Sequence, residues 1–400
     1  MGQAEPTTVR SPPRICFLVH DLGDAAVKRR VGMLAAGGAR VLLAGFRRGE
    51  SPPGEVASVV PVDLGRTYDR AFVRRIASVL GGLARMRALA KQIGNVDAIA
   101  ARNLEMLALA VRLNALLPRR VPVTYECLDI HPLMLGDGPG ARALRALEGW
   151  LARRCSLLVT SSPQYLQKYF AELSQVRLPS VLVPNKVLDV EGRLLQALAS
   201  ETPGQRSGPP WRIGWFGILR CRRSLDALRE LAAEGGGAIE VVIRGRPAYT
   251  ELADFDEVVA HTPHLRFEGP YENPQDLARI YADVHFSWAI DYLYAGKNSE
   301  WALANRIYEG GLYGALPLAV EGTATAAWLQ SRGVGIVLDD ALVASFRRAI
   351  AGLDRERYER MQQALAALPR TEFVADRAEC VHLVQLIAAA TTQDERAARP

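Results

Sequence analysis

"ASETPGQRSGPPWRIGWFG", residues 199–217, runs from a stretch crowded with Pro, Gly and Ser into an apolar, aromatic run. Pro and Gly interrupt regular structure, so residues 199–210 read as a linker and "WRIGWFG" (211–217) as the first strand of a new unit. The same rhythm lies on both sides of it. Upstream, "RICFLV" (14–19), "ARVLLAG" (39–45), "VDAIAA" (96–101), "VPVTYEC" (121–127), "SLLVTS" (156–161) and "SVLVPN" (180–185) are short apolar runs. They alternate with helical patterns, clearest at 69–93 and 140–155. Downstream, "AIEVVIRG" (238–245), "HLRFEG" (264–269), "DVHFSWA" (283–289), "ALPLAV" (315–320) and "GVGIVL" (333–338) repeat the alternation, and 341–390 reads as helices. Strands that alternate with helices predict parallel βαβ units. The expectation is an α/β protein of two Rossmann-like halves: 1–198, the linker 199–210, 211–375, and a C-terminal helix and tail at 376–400. A doubly wound half binds ligands outside the carboxyl ends of its strands, so two facing halves place chemistry in a central cleft.

Composition narrows the function. A chain of 400 residues exceeds one ordinary core and favours two domains. No stretch approaches the ~20 consecutive apolar residues that span a bilayer. The polar start "MGQAEPTTVRSPPR" resembles neither a signal peptide nor a transit helix, and Pro6 stands where a myristoylation motif needs Ser or Thr. A cytoplasmic location is expected. Five scattered cysteines without a C-x-x-C spacing indicate neither a disulfide framework nor a zinc site. The net charge of +6 points to anionic partners. Nucleic acid is disfavoured, because no RNP-type, zinc-finger or helix-turn-helix signature is present.

"ANRIYEGGLYGALPLAV" (304–320) sets a polar, charged beginning against a buried strand. A helix starting near Asn305 presents unpaired N–H groups and partial positive charge, which suit a phosphate. Arg306 adds a fixed charge able to hold phosphate oxygens in pairs. Glu309 follows on roughly the same face and suits the two hydroxyls of a ribose. The bland alternative is a surface i,i+3 pair of Arg306 and Glu309, nearly neutral in energy.

The segment resembles the nucleotide-sugar-binding signature of GT-B glycosyltransferases, in particular glycosyltransferase family 4. The likeness runs through Asn305, Arg306, Glu309, Gly314 and Pro317, with Arg where that family has Lys. "WFGILRCRRSLDAL" (215–228) is similar to its strand, basic loop and helix, with Gly217 and Arg223 at matching positions. Ile218 stands where the family has Arg, which leaves Arg220 or Arg222 to supply that contact. "VVIRGRPAY" (241–249) and "LRFEGPYENPQDLARIYADVHF" (265–286) resemble the next strand and the base-binding turn. The resemblance implies a GT-B fold and a donor site built from Gly217, Arg220, Arg223, Arg244, Lys297, Asn305, Arg306 and Glu309. In that family the Glu that resembles Glu309 holds the donor ribose. A further Glu commonly stands eight residues earlier; here that position is Trp301, beside Glu300, so neither retention nor inversion is implied.

The opening half resembles the N-terminus of bacterial exopolysaccharide glycosyltransferases. Its first loop, "VHDLGDAAVKRRVGML" (19–34), holds His20, Asp21 and Asp24 and lacks the G-x-G-x-x-G of dinucleotide-binding enzymes. "YECLDIHP" (125–132) places Asp129 and His131 directly after a strand. A sugar hydroxyl is a weak nucleophile that profits from a proton acceptor. Asp129 is the first candidate for that role if configuration inverts, with His131 and Asp21 next; a turn-forming Asp and a hydrogen-bonded His are the alternative.

Residues 66–93 form a basic amphipathic pattern, with Arg66, Arg70, Arg74, Arg75, Arg85, Arg87 and Lys91 against Asp69 alone. Such a helix either adheres to anionic lipid headgroups or packs on the core with a solvated basic face. The function implied is transfer of a hexose from a nucleotide sugar, UDP-sugar favoured, to a lipid-linked or oligosaccharide acceptor in cell-surface polysaccharide synthesis. No metal or other cofactor is expected. A nucleotide-sugar epimerase of the same architecture, and a catalytically silent GT-B scaffold, are the alternatives.

Overall fold

The computed structural model describes residues 11–49, 54–67, 72–194, 208–293, 296 and 298–389, with 72–77 as backbone only. Most of the linker expected at 199–210 lies outside the described residues, as do Lys297 and the tail beyond 389.

The N-terminal strands are β1 (Arg14–Val19), β2 (Arg40–Arg47), β3 (Val62–Arg66), β4 (Ala98–Arg102), β5 (Val123–Cys127), β6 (Leu157–Thr160) and β7 (Ser180–Leu182). Short β8 (Val187–Leu188) follows them. The C-terminal strands are β9 (Trp211–Leu219), β10 (Ile239–Pro247), β11 (Leu265–Phe267), β12 (Phe286–Trp288), β13 (Leu316–Val320) and β14 (Ile336–Leu338), with β15 (Val374–Ala375) behind them. Among the described residues, the two large sheets have the orders β3-β2-β1-β4-β5-β6-β7 and β11-β10-β9-β12-β13-β14. Both are parallel and wind in the Rossmann manner, which reverses direction between β1 and β4 and between β9 and β12. Ligand crevices open beyond the carboxyl ends of those four strands.

Burial explains the strands. Every residue of β4, β5 and β13 is buried, as expected where helices cover both faces of a parallel sheet. Strand β3, "VDLGR", escapes the sequence reading because only Leu64 is buried in an edge position. All five cysteines are free and buried.

The end of the chain returns from the second sheet to the first. Strand β15 pairs in parallel with β8, and the last helix, Arg377–Ala389, then packs on Ala25–Ala36 of the first domain. That packing needs Gly37, since a Cβ there would lie 2.2 Å from the Cys380 carbonyl oxygen.

Gly217 and Gly245 lie side by side in the β9–β10 register, with φ of +114° and +131°. A Cβ on Gly245 would sit 1.8 Å from the Gly217 carbonyl oxygen. Gly245→Ala is therefore expected to lose at least ~1–3 kcal/mol, the cost of a residue forced into a sparsely populated conformation, with the clash added. Urea unfolding measures it; an unchanged midpoint would show that the two strand ends part at no cost.

Candidate active site

The helix Asn305–Leu312 starts where the sequence places it. Its N-cap is Ala304, with no side-chain cap on the first-turn N–H groups. Arg306 turns back onto β9, where its Nε donates to the Phe216 carbonyl oxygen at 2.6 Å. Its Nη2 comes within 3.7 Å of the point where Gly217 would carry a Cβ, and the Tyr271 hydroxyl within 4.0 Å. Gly217 thus keeps the end of β9 open beside a fixed guanidinium. Glu309, a turn further on, is buried rather than at the surface. Its Oε1 accepts from Asn273 Nδ2 at 2.8 Å, and its Oε2 from the Tyr281 hydroxyl at 3.4 Å. Burial pushes its pKa up, against the opposing pull of Arg29, Asn273, Arg306 and Tyr281. A carboxylate has room for about four hydrogen bonds, so two remain for a vicinal diol.

The other arginines divide. Arg220, at the end of β9, pairs with Asp291, just past β12, at 3.2 Å, and so stands at the switch point. Arg223 lies over the Tyr292 ring at 4.2 Å and pairs with Asp340 at 2.7 Å, on the rim. Arg244 pairs with Glu268, in a ladder that includes Arg266, Glu240, Asp283 and Arg212. The structure therefore places Arg306 against Gly217 and within electrostatic reach of Glu309, with Asn305 at the same helix start; Arg220, Arg223 and Arg244 are each paired with an acid, Asp291, Asp340 and Glu268.

The facing wall comes from the first domain. Helix Ala25–Ala36 is capped by Asp24, whose Oδ1 accepts from Ala26 N at 2.8 Å. Arg29 on this helix lies near enough to Glu309 and Tyr271 to act on both electrostatically, and its Nη1 is buried without a hydrogen-bond partner. Behind it, Glu126 is clamped between Arg30 (2.5 Å) and Arg102 (2.8 Å). Asp21 accepts from Gly23 N at 3.0 Å with one oxygen and pairs with Arg48 at 3.1 Å with the other.

The loop after β5 meets the second domain. Buried Asn298 donates through Nδ2 to Asp129 Oδ1 at 2.5 Å and to the Ile130 carbonyl oxygen at 2.7 Å. Trp301, at the position where the sequence resemblance would have Glu, packs against the core of the first domain, and its carbonyl oxygen accepts from Ser162 Oγ. His131 is spent locally, its Nδ1 accepting from Leu133 N at 3.3 Å. Asn298→Ala is expected to loosen the domain contact by about 1–3 kcal/mol, since an acceptor on Asp129 loses a charge-assisted bond. Faster hydrogen exchange in 298–302 and 128–131, without global unfolding, is the readout; unchanged exchange would make the contact incidental.

Sequence reading missed Arg29, Tyr271, Asn273, Tyr281 and Asn298. Arg29 sits in the quoted first loop and helix, and Tyr271 and Asn273 in the quoted base-binding turn, but nothing in their spacing says that they face Glu309.

No family model matches the chain. It is 46% identical over 383 residues to the succinoglycan biosynthesis protein ExoL of Rhizobium meliloti (strain 1021), covering 95% of this chain and 94% of that one. The chain belongs to the ExoL family of succinoglycan biosynthesis proteins. Solved structures add the fold. Sucrose-phosphate synthase from Thermosynechococcus elongatus superposes with a TM-score of 0.67 at 14% identity, over 97% of this chain and 100% of that one. Anabaena Alr3699/HepE, in complex with UDP and glucose, gives 0.66 at 13% identity, over 95% and 100%. WaaG, a glycosyltransferase involved in lipopolysaccharide biosynthesis, gives 0.57 at 10% identity, over 93% and 99%. This ExoL-family chain therefore has the GT-B fold, two Rossmann-like domains facing a cleft. Among its described residues no helix is long and apolar enough to cross a membrane.

Proposed function

We propose that this ExoL-family protein is a glycosyltransferase that moves a hexose from a nucleotide sugar onto a glycan during exopolysaccharide assembly. The observation that carries the reading is the buried Glu309 carboxyl beside Arg306 and Gly217, at the switch point of the second sheet. Glu309 takes the ribose hydroxyls; Arg306, Arg220 and the start of Asn305–Leu312 take the diphosphate. As the anomeric bond breaks, negative charge grows on that diphosphate, and preorganised cations stabilise it most at that moment. UDP is the favoured nucleotide, because Anabaena Alr3699/HepE was solved with UDP-glucose. No metal ion enters the reading, so turnover should survive chelators.

The acceptor is a lipid-linked or oligosaccharide glycan, and the enzyme works in the cytoplasm at the inner membrane face. In the helix Phe72–Ile93, Met86, Leu89 and Ile93 pack into the core. Membrane contact through 66–93 thus falls to outward cations such as Arg87 and Lys91, and is of the weak electrostatic kind.

Calorimetry with UDP and GDP tests the donor site. Wild type is expected to bind one of them, and Arg306→Ala to bind it at least ~10-fold more weakly, as loss of a charge-assisted contact implies. Equal affinity in both proteins would remove Arg306 from the site. Binding of neither nucleotide would favour a silent scaffold, and epimerised donor after incubation without acceptor would favour an epimerase.

A further inference from the structure

Arg29 stands on the first-domain helix Ala25–Ala36, yet it faces groups of the second domain. Burial raises the Glu309 pKa, and the largest effect opposing burial is the charge of Arg29, ahead of the Asn273 bond and of Arg306 on the same helix as Glu309. Arg29 acts likewise on Tyr271, whose hydroxyl comes near Gly217 at the end of β9. Charges act most strongly at short range in poorly solvated space, so Arg29 and Glu309 oppose each other closely across the cleft. They nonetheless form no ion pair with one another.

Among the described residues no other group takes up the Arg29 guanidinium. Its Nη1 is buried without a hydrogen-bond partner. Its Nε and Nη2 make no hydrogen bond either, and neither is buried, so both reach the surface of the cleft. The neighbouring cations differ, since Arg30 and Arg102 share Glu126. Asp24 acts on Arg29 from the start of the same helix, but one of its oxygens is taken by the helix cap. Glu309 is held from its own domain by Asn273 and Tyr281. Each side of the cleft thus offers one kind of bond: a carboxylate only accepts and a guanidinium only donates, whereas a hydroxyl does both.

We propose that Arg29 reads the nucleotide's ribose: one ribose hydroxyl donates to Glu309 of the second domain and accepts from Arg29 of the first. The two domains then share the nucleotide, and a deoxyribose lacking that hydroxyl leaves both charged groups short of a bond. Phosphate suits Arg29 less well, because the opposing Glu309 carboxylate repels it. This assignment rests on the donor site proposed above and adds to it a contact from the facing domain.

The test is calorimetry on the full chain, with whichever of UDP and GDP the wild type binds and with its 2′-deoxy and 3′-deoxy forms. Losing a hydrogen bond to a charged group lowers affinity by about ten- to a hundredfold. The wild type loses both bonds of the bridging hydroxyl, so it should bind one deoxy form at least ~100-fold more weakly. Arg29→Gln should weaken the ribonucleotide by about tenfold or more and leave that deoxy form nearly unchanged, so that the discrimination shrinks. Arg29→Lys keeps a charged donor and should restore part of it. A ratio of two affinities within one variant does not depend on how much of the protein folds.

Wild-type affinity in Arg29→Gln would overturn the assignment alone. So would an equal loss for the ribonucleotide and both deoxy forms, which would move Arg29 to the diphosphate or to the fold. Wild-type protein that binds both deoxy forms as tightly as the ribonucleotide would remove the ribose from Glu309 as well as from Arg29. Wild-type protein that binds neither UDP nor GDP would overturn the donor site and this assignment together.

Discussion

Glu126→Gln is expected to destabilise the protein by about 3–5 kcal/mol, the usual cost of removing one partner from a buried ion pair. Glu126 is buried at the end of β5, with Arg30 on one oxygen and Arg102 on the other. Burial raises its pKa, but the two guanidinium groups outweigh burial and hold it below the ordinary carboxylate range. Glutamine keeps the shape and one acceptor while leaving two buried cations without a counter-charge. The sign with pH follows. A lowered folded-state pKa means stabilisation that is complete above the unfolded value, about 4.3. It is lost as pH falls through the lower folded value. Wild type should therefore lose stability steeply below about pH 4 as its paired carboxylates protonate, and the variant less so. Urea unfolding at pH 7 and in that acidic range measures both; a variant midpoint equal to wild type at pH 7 would show that Arg30 and Arg102 are satisfied without Glu126. Because Arg102 Nη2 also donates to the Ala26 carbonyl oxygen at 3.2 Å, the damage should reach the His20–Asp24 loop.

How much of this was legible in the sequence depends on the range of the signal. The six-strand rhythm after residue 210 matches every strand of the second large sheet, most plainly β12 and β13, whose residues are all buried and form continuous apolar runs. Edge strand β3 and the two-residue β8 and β15 lack such runs and were invisible. That Asn305, Arg306 and Glu309 stand together was readable for a local reason: one short helix carries all three. That Glu309 is buried against Asn273 and Tyr281 was not, since those partners arrive from a different βα turn. The arginines after β9 and on β10 were opaque for a related reason. Arg223 and Arg244 look alike in sequence to Arg220, and only the positions of Asp340, Glu268 and Asp291 distinguish them. Likewise Asp129 and His131 are correctly placed after β5, yet Asn298, 169 positions away, decides what Asp129 touches.

Glu309→Gln should act on folding and binding with opposite signs, and so separates this carboxylate from Glu126. Burial raises the Glu309 pKa, and the arginines and hydrogen bonds around it recover only part of that cost. A folded-state pKa above the unfolded one means stabilisation that is present below the unfolded value and lost as pH rises through the folded one. Ionising this group is thus a net burden on the fold. Glutamine removes the burden and keeps the Asn273 bond, so urea unfolding at pH 7 should show equal or greater stability than wild type. Binding should go the other way. The ribose hydroxyls lose a charged acceptor, worth roughly 1.5–3 kcal/mol, so UDP affinity should fall about ten- to a hundredfold. In wild type that affinity should also weaken as pH drops through the raised Glu309 value, and the variant should lack this dependence. Calorimetry across pH 5 to 8 reads both effects. A variant that is destabilised as Glu126→Gln is, yet binds UDP normally, would make Glu309 a structural charge and move the ribose elsewhere. Opposite signs in the two measurements would mark Glu309, within electrostatic reach of Arg29 across the cleft, as a carboxylate that costs the fold and serves a ligand.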